Sequence, residues 1–218
     1  ASFMSQQKLL SFEEVTRCVC VASEMGVRTI RLTGGEPLMR PDLKRLIEQL
    51  TRVPGIEEVA LTTNGLLLAD QVAGLAQAGL SRLNVSLDSL DESRFEKIAR
   101  RSGLQRILEG LEEAVRQGFR SIRINAVSIR GLTEQEIVPL AVFCREHGFH
   151  LRFIEFMPLD AEDAWSRKHV LTGREVHQIL EVHVGQLKRS ESEDSGQPSV
   201  DYSLSLIHIS EPTRLGFI

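Results

Sequence analysis

TIRLTGGEPLMRPDL, Thr29–Leu43, runs from apolar and β-branched residues into two glycines and then Glu36-Pro37. A strand that ends in paired glycines leaves bare main chain at its carboxyl end. Positive φ is allowed there and a ligand can approach the backbone. Glu36 adds a carboxylate and Pro37 fixes the exit of the chain. Exposed carbonyls plus one acid can hold an ammonium group. A tight strand-to-helix turn with a helix-capping acid accounts for the same residues equally well.

Working outward, four more short runs share this character: EEVALTTN, SRLNVSLD, SIRINAVS and LRFIEFMP. Each is rich in apolar or β-branched residues and closes on small or polar ones, as strands do. Helical patterns separate them. Ser11 with Glu14, Thr133 with Glu136 and Thr172 with Glu175 have capping-box spacing. Val15, Cys18, Val19 and Ala22 form one apolar stripe, and Ile107, Leu108, Leu111, Ala114 and Val115 another. Gly26, Gly79, Gly118 and Gly148 stand where helices would stop. A strand–helix repeat of roughly 25–40 residues implies a parallel sheet with helices outside it. Arg31, Arg82, Asn84, Arg123, Asn125, Arg152 and Glu155 interrupt the apolar runs. A sheet buried in apolar contacts on both faces would not carry them. The fold class expected is therefore α/β, a partial (β/α) TIM-like barrel with a polar interior and ligands at the carboxyl ends of its strands.

With 218 residues the chain can bury a sizeable core, and a charged fraction of 26% with a formal net charge of −4 suits a soluble globular protein. That balance gives no reason to expect a nucleic-acid or anionic-membrane partner. Three cysteines, Cys18, Cys20 and Cys144, make no disulfide framework, which suits a reducing cytoplasm. No segment is apolar and long enough to span a bilayer. The opening ASFMSQQKLL has neither signal-peptide features nor a domain-starting element, and reads as a chain that begins mid-domain.

Three divisions follow: residues 1–160 as the partial barrel, 161–187 as a helical extension, and 188–218 as a linker with an irregular tail. KRSESEDSGQPS is polar and low in complexity. LSLIHISEPTR resembles the translation of a sequencing-library adapter more than a domain, so the tail carries no functional reading here; an ordinary edge strand is the plain alternative.

Hydroxyl, amide and carboxylate groups recur at successive strand ends. Thr62, Thr63 and Asn64 precede Gly65, and Ser86 and Asp88 end LNVSLD. Such groups suit a ribose or a base edge, and they also begin turns. Inward-facing Arg31, Arg123 and Arg152 could grip a triphosphate; a one-residue shift of phase would turn any of them to solvent. Met157 ends the last run, where a methionine is more often core filler than a cofactor contact. Cys18 fits the apolar stripe of its helix and is expected to pack in the core, Cys20 lies nearly opposite, and Cys144 shares a stripe with Ile137, Leu140 and Ala141. The six histidines have no metal spacing. No P-loop, G-x-S-x-G or G-x-G-x-x-G occurs.

IRLTGGEPLMRPDL, LTTNG, LNVSLDSLDESRFEKI and RFIEFMP, in this order, resemble the radical S-adenosylmethionine (SAM) GTP 3′,8-cyclases of molybdenum cofactor biosynthesis, the protein A family. The resemblance runs from about Leu9 to Asp160 and more weakly to about Tyr202. It implies a lyase in which SAM on a [4Fe–4S] cluster yields a 5′-deoxyadenosyl radical, and that radical abstracts hydrogen from the ribose of GTP. By position, Gly34, Gly35, Glu36, Ser86 and Met157 would contact SAM, and Arg31, Thr62 and Arg123 would contact GTP. Arginine stands at 123 where the family usually has lysine. The fold implied is the radical SAM barrel lacking its first strand. The family's C-x-x-x-C-x-x-C and its later C-x-x-C are both absent, so no catalytic or metal residue is assigned and the isolated chain is expected to be inactive. A cytoplasmic location, GTP as substrate and a homodimer of the full-length form complete the expectation. A non-catalytic nucleotide-binding module and another radical SAM enzyme, such as a peptide maturase, are the alternatives. An aldolase barrel is disfavoured because no strand run offers a Schiff-base lysine.

Overall fold

The computed structural model describes residues 9–157, 165–189, 199–204 and 207–212. In chain order the elements are α1 (Phe12–Glu24), β1 (Thr29–Leu32), α2 (Leu43–Leu50), β2 (Glu58–Thr63), α3 (Leu68–Gln77), β3 (Arg82–Ser86), α4 (Glu92–Ala99), α5 (Leu104–Arg116), β4 (Ser121–Ser128), α6 (Ile137–His147), β5 (His150–Glu155), α7 (Gly173–His183), β6 (Lys188–Arg189), β7 (Ser199–Leu204) and β8 (Ile207–Pro212). Each of the five strand runs forms a strand.

The chain forms two compact units that meet in sequence within β3 and again within α5 and after Arg120. In the first unit β1 lies parallel to β2, from Thr29 opposite Glu58 to Leu32 opposite Leu61. Val59 and Leu61 are buried, as are Leu46, Ile47 and Leu50 of α2 and Leu68, Val72 and Leu75 of α3. Each such side chain contributes about 1.5–3 kcal/mol on leaving water. In the second unit β4 and β5 are parallel, Arg123 opposite His150 and Asn125 opposite Arg152. Along β4 burial alternates strictly, with Ile122, Ile124, Ala126 and Ser128 inside.

Helix ends follow the sequence in two of three cases. Ser11–Glu14 and Thr172–Glu175 form reciprocal capping boxes. Thr133–Glu136 does not. Both are buried, and Thr133 Oγ1 donates instead to the Val127 carbonyl at 2.7 Å while Glu136 turns to Leu90 N and Arg94. Partners from other elements have displaced the local cap.

Three further expectations are corrected. Cys18 is exposed rather than packed in the core; Val19 and Ser23 are the buried residues of α1. Glu155 is three residues from Arg152 and so shares the phase of Leu151 and Phe153. Its Oε1 accepts the Gly173 N–H at 2.9 Å and caps α7. The segment 188–218, expected as linker and irregular tail, contains β6, β7 and β8, and β8 runs parallel to β5 with Leu151 opposite Ile209. Most of the polar linker, residues 190–198, lies outside the described residues, as does Pro158.

Candidate functional site

The GGEP loop in the first unit begins directly after β1. Gly34 has φ +151, a conformation that side chains rarely adopt, and a Cβ built on Gly34 or Gly35 meets nothing within 4 Å. Both glycines are exposed, so their main chain is open to a ligand. Glu36 is committed elsewhere. Its Oε1 accepts from Leu38 N at 3.1 Å and Thr63 Oγ1 at 2.7 Å, and its Oε2 accepts from Asn64 N at 2.8 Å. The carboxylate therefore caps the short 3-10 turn Pro37–Met39 and ties it to the end of β2. Of the two sequence readings of Glu36, the helix-capping acid is the one the hydrogen bonds realise. About one lone pair of the four remains for a ligand proton. The turn is held on its far side too: Gln71 Nε2 donates to the Leu38 carbonyl at 3.0 Å. Arg40 donates to the Leu10 carbonyl and lies 4.4 Å over the Phe12 ring.

Thr62 and Thr63 point to opposite faces of β2. Thr63 is buried, and its hydroxyl also accepts from Gly65 N at 3.0 Å. Thr62 is half-buried and shares its face with Arg31, whose register partner is Ala60 two residues earlier. The structure thus brings Arg31 and Thr62 to one face of the first unit's strands, with Arg31 exposed. Glu58 and Arg82 form an ion pair in the same unit.

In the second unit the polar residues also share a phase. Arg123 and Asn125 on β4 stand opposite His150 and Arg152 on β5, all half-buried, while the other face holds Ile122, Ile124, Leu151 and Phe153. Among the described residues the buried Asn125 Oδ1 has no hydrogen-bond partner. Arg123 is the third residue of β4, nearer its amino than its carboxyl end. Ser86, the last residue of β3, is exposed and its hydroxyl makes no hydrogen bond among the described residues. Met157 is half-buried two residues beyond β5. Asp88 follows Ser86 closely. Burial pushes its carboxyl above the ordinary range, and the Val127 N–H, donating to Oδ1 at 2.7 Å, opposes the shift.

Thr63 and Asp88, read from the sequence as strand-end groups for a ribose or base edge, and Glu136, read as a local helix cap, instead hold the protein's own groups: Thr63 binds Glu36 and Gly65 N, Asp88 binds Val127 N, and Glu136 binds Leu90 N and Arg94. Thr63 was legible as one of a pair, because alternation must bury one neighbour and expose the other. Nothing local marks Glu136, which acts on residues 42 and 46 positions away.

The radical SAM superfamily model matches residues 2–144. The chain belongs to the radical SAM superfamily. Curated relatives include a GTP 3′,8-cyclase of Rhodopirellula baltica, 46% identical over 205 residues, covering 94% of this chain and 57% of that protein. Another from Paenarthrobacter nicotinovorans is 43% identical over 179 residues, covering 82% and 50%. The chain thus spans a little over half the length of such relatives. Among solved structures, Streptococcus suis SuiB bound to precursor peptide SuiA superposes with a TM-score of 0.67 at 20% identity, covering 84% of this chain and 42% of that one. The native anSMEcpe with bound AdoMet and Kp18Cys peptide gives 0.62 at 16%, covering 83% and 53%. At such identity these structures establish the fold, a partial TIM-like α/β barrel of the radical SAM type.

A cluster fits poorly. Cys18 is exposed and Cys20 half-buried on α1, and Cys144 is enclosed in α6 with its thiol pushed far up by burial. Among the described residues no three His, Cys, Asp or Glu are grouped to hold a metal ion. The thiolates of this chain do not supply a [4Fe–4S] site, and no step is derived through one. SAM fits better, because open glycine backbone meets one carboxylate at the end of β1.

Proposed function

We propose that this chain is the SAM- and GTP-binding portion of a GTP 3′,8-cyclase, acting in the first step of molybdenum cofactor biosynthesis in the cytoplasm. The observation that carries the reading is 46% identity over 205 residues to a protein of that activity. No helix among the described residues is long and apolar enough to cross a membrane, which is compatible with it.

In the first unit the main chain of Gly34 and Gly35 takes the methionyl amine of SAM, and Glu36 orients that backbone while offering its remaining lone pair. Arg31 and Thr62, on one strand face, contact GTP. In the second unit Ser86 and Met157 contact SAM and Arg123 contacts GTP, with the unpartnered Asn125 Oδ1 on the same face as a further acceptor. A guanidinium offers two parallel donors to a phosphate where lysine would offer a point charge.

The three cysteines favour a second reading, a nucleotide-binding module without radical chemistry. Calorimetry separates the two from a ligand-free protein: GTP binds the wild-type chain, and Arg31→Ala weakens it at least tenfold (about 1.4 kcal/mol). Equal affinity in both proteins removes Arg31 from the site. Cysteine motifs in the flanking coding sequence decide for the cyclase over the module.

A further inference from the structure

Glu136 is 2% exposed, and the functional reading gives it no task. A buried carboxylate persists only where donors surround it. Its Oε2 accepts the Leu90 N–H at 2.9 Å and its Oε1 accepts Arg94 Nη1. Both donors belong to the stretch after β3. The same stretch is fastened twice more in the second unit: Leu87 N donates to the Asn125 carbonyl at 2.9 Å, and Asp88 Oδ1 accepts from Val127 N at 2.7 Å. Val127 is in turn fixed by Thr133, which stands three residues before Glu136 and donates to its carbonyl at 2.7 Å. Residues 87, 88, 90 and 94 are therefore bound one after another to β4 and to the turn that opens α6. Ser86, immediately before them, is exposed with a hydroxyl that makes no hydrogen bond among the described residues. The network immobilises everything next to this hydroxyl and leaves the hydroxyl itself available.

We propose that Glu136 is a positioning residue for Ser86, holding the segment after β3 so that the Ser86 hydroxyl keeps one orientation toward SAM. This rests on the SAM contact assigned to Ser86 above. Preorganisation of this kind lowers the ordering cost of binding, so its loss weakens one ligand selectively.

The test titrates the 218-residue chain with SAM alone and with GTP alone, as wild type, Glu136→Gln and Ser86→Ala. Gln keeps the volume but sets an amide donor against Leu90 N–H or Arg94. Expected is a loss of SAM affinity of about tenfold in Glu136→Gln, approaching that of Ser86→Ala, with GTP affinity unchanged. A variant that melts earlier yet binds SAM as the wild type does, or that loses both ligands equally, overturns the proposal. A wild-type chain that takes up no SAM counts against the functional reading alone. The positioning role is then judged by amide hydrogen exchange. Leu90 exchanges at least tenfold faster in Glu136→Gln while the interior of α6 does not change; unchanged exchange at Leu90 refutes it.

Discussion

Thr62 and Thr63 are adjacent residues with opposite roles. Thr63 closes the hydrogen-bond set of Glu36 from inside, whereas Thr62 stands on the face with Arg31. Thr63→Val keeps the shape, takes one of two donors from Glu36 Oε1 and leaves the buried Gly65 N–H without its acceptor. Urea unfolding should register a loss of about 1–3 kcal/mol, against less than about 0.5 kcal/mol for Thr62→Val. Glu175 gives a pH-dependent case. Its carboxyl is lowered to about 2, first by the Thr172 N–H, then by Arg130 and the Thr172 hydroxyl. A depressed acid stabilises the fold above its unfolded value, near 4.5, and stops doing so as pH falls toward about 2. Glu175→Gln should therefore melt below the wild type at neutral pH, with the gap closing across that window. A gap constant down to pH 2 would contradict the assignment.

Helix packing turns one glycine from a weakness into a requirement. Gly110 lies within α5, where alanine ordinarily helps a helix by about 0.5–1 kcal/mol. Here a Cβ would sit 2.9 Å from Leu68 Cβ and 3.1 Å from Ala69 N at the start of α3. Neither atom is the free end of a flexible side chain. Gly110→Ala should thus destabilise by about 1–3 kcal/mol in thermal or denaturant unfolding. Stabilisation would mean that α3 and α5 are looser than this packing. The capping boxes carry the complementary lesson. Ser11–Glu14 and Thr172–Glu175 were readable because donor and acceptor lie within one turn. Thr133–Glu136 has the same spacing and a different fate, since burial beside Val127 and Leu90 offers each side chain another partner.

Across the whole molecule, chemistry is limited by where the thiols are. One of three is exposed, one half-buried and one buried. Anaerobic treatment of the chain with iron and sulfide should give no cluster absorbance, and a thiol reagent should modify Cys18 while leaving Cys144 intact until unfolding. A stoichiometric cluster on this chain would overturn the misfit. The five strands, their order with the helices and the glycine stops were legible, because period, capping and φ preference are local properties. The candidate site was legible in outline only. Arg31, Thr62 and Arg123 have side chains whose direction follows from strand phase, and phase is set by pairing. Glu155 was misplaced for that reason, and so was the tail, whose strand β8 finds its partner in β5 far back along the chain.

By itself the amino-acid sequence determined the α/β repeat, the radical SAM relationship carried by the GGEP and SLDSLD stretches, and the shortage of cluster thiolates. Only the tertiary structure decided that Glu36 and Glu136 spend their carboxylates on the protein's own N–H groups, and that Ser86 and the two glycines before Glu36 stay open. The reason is physical. Local propensity acts over a few residues, whereas a buried carboxylate takes whichever donors the packed chain brings to it.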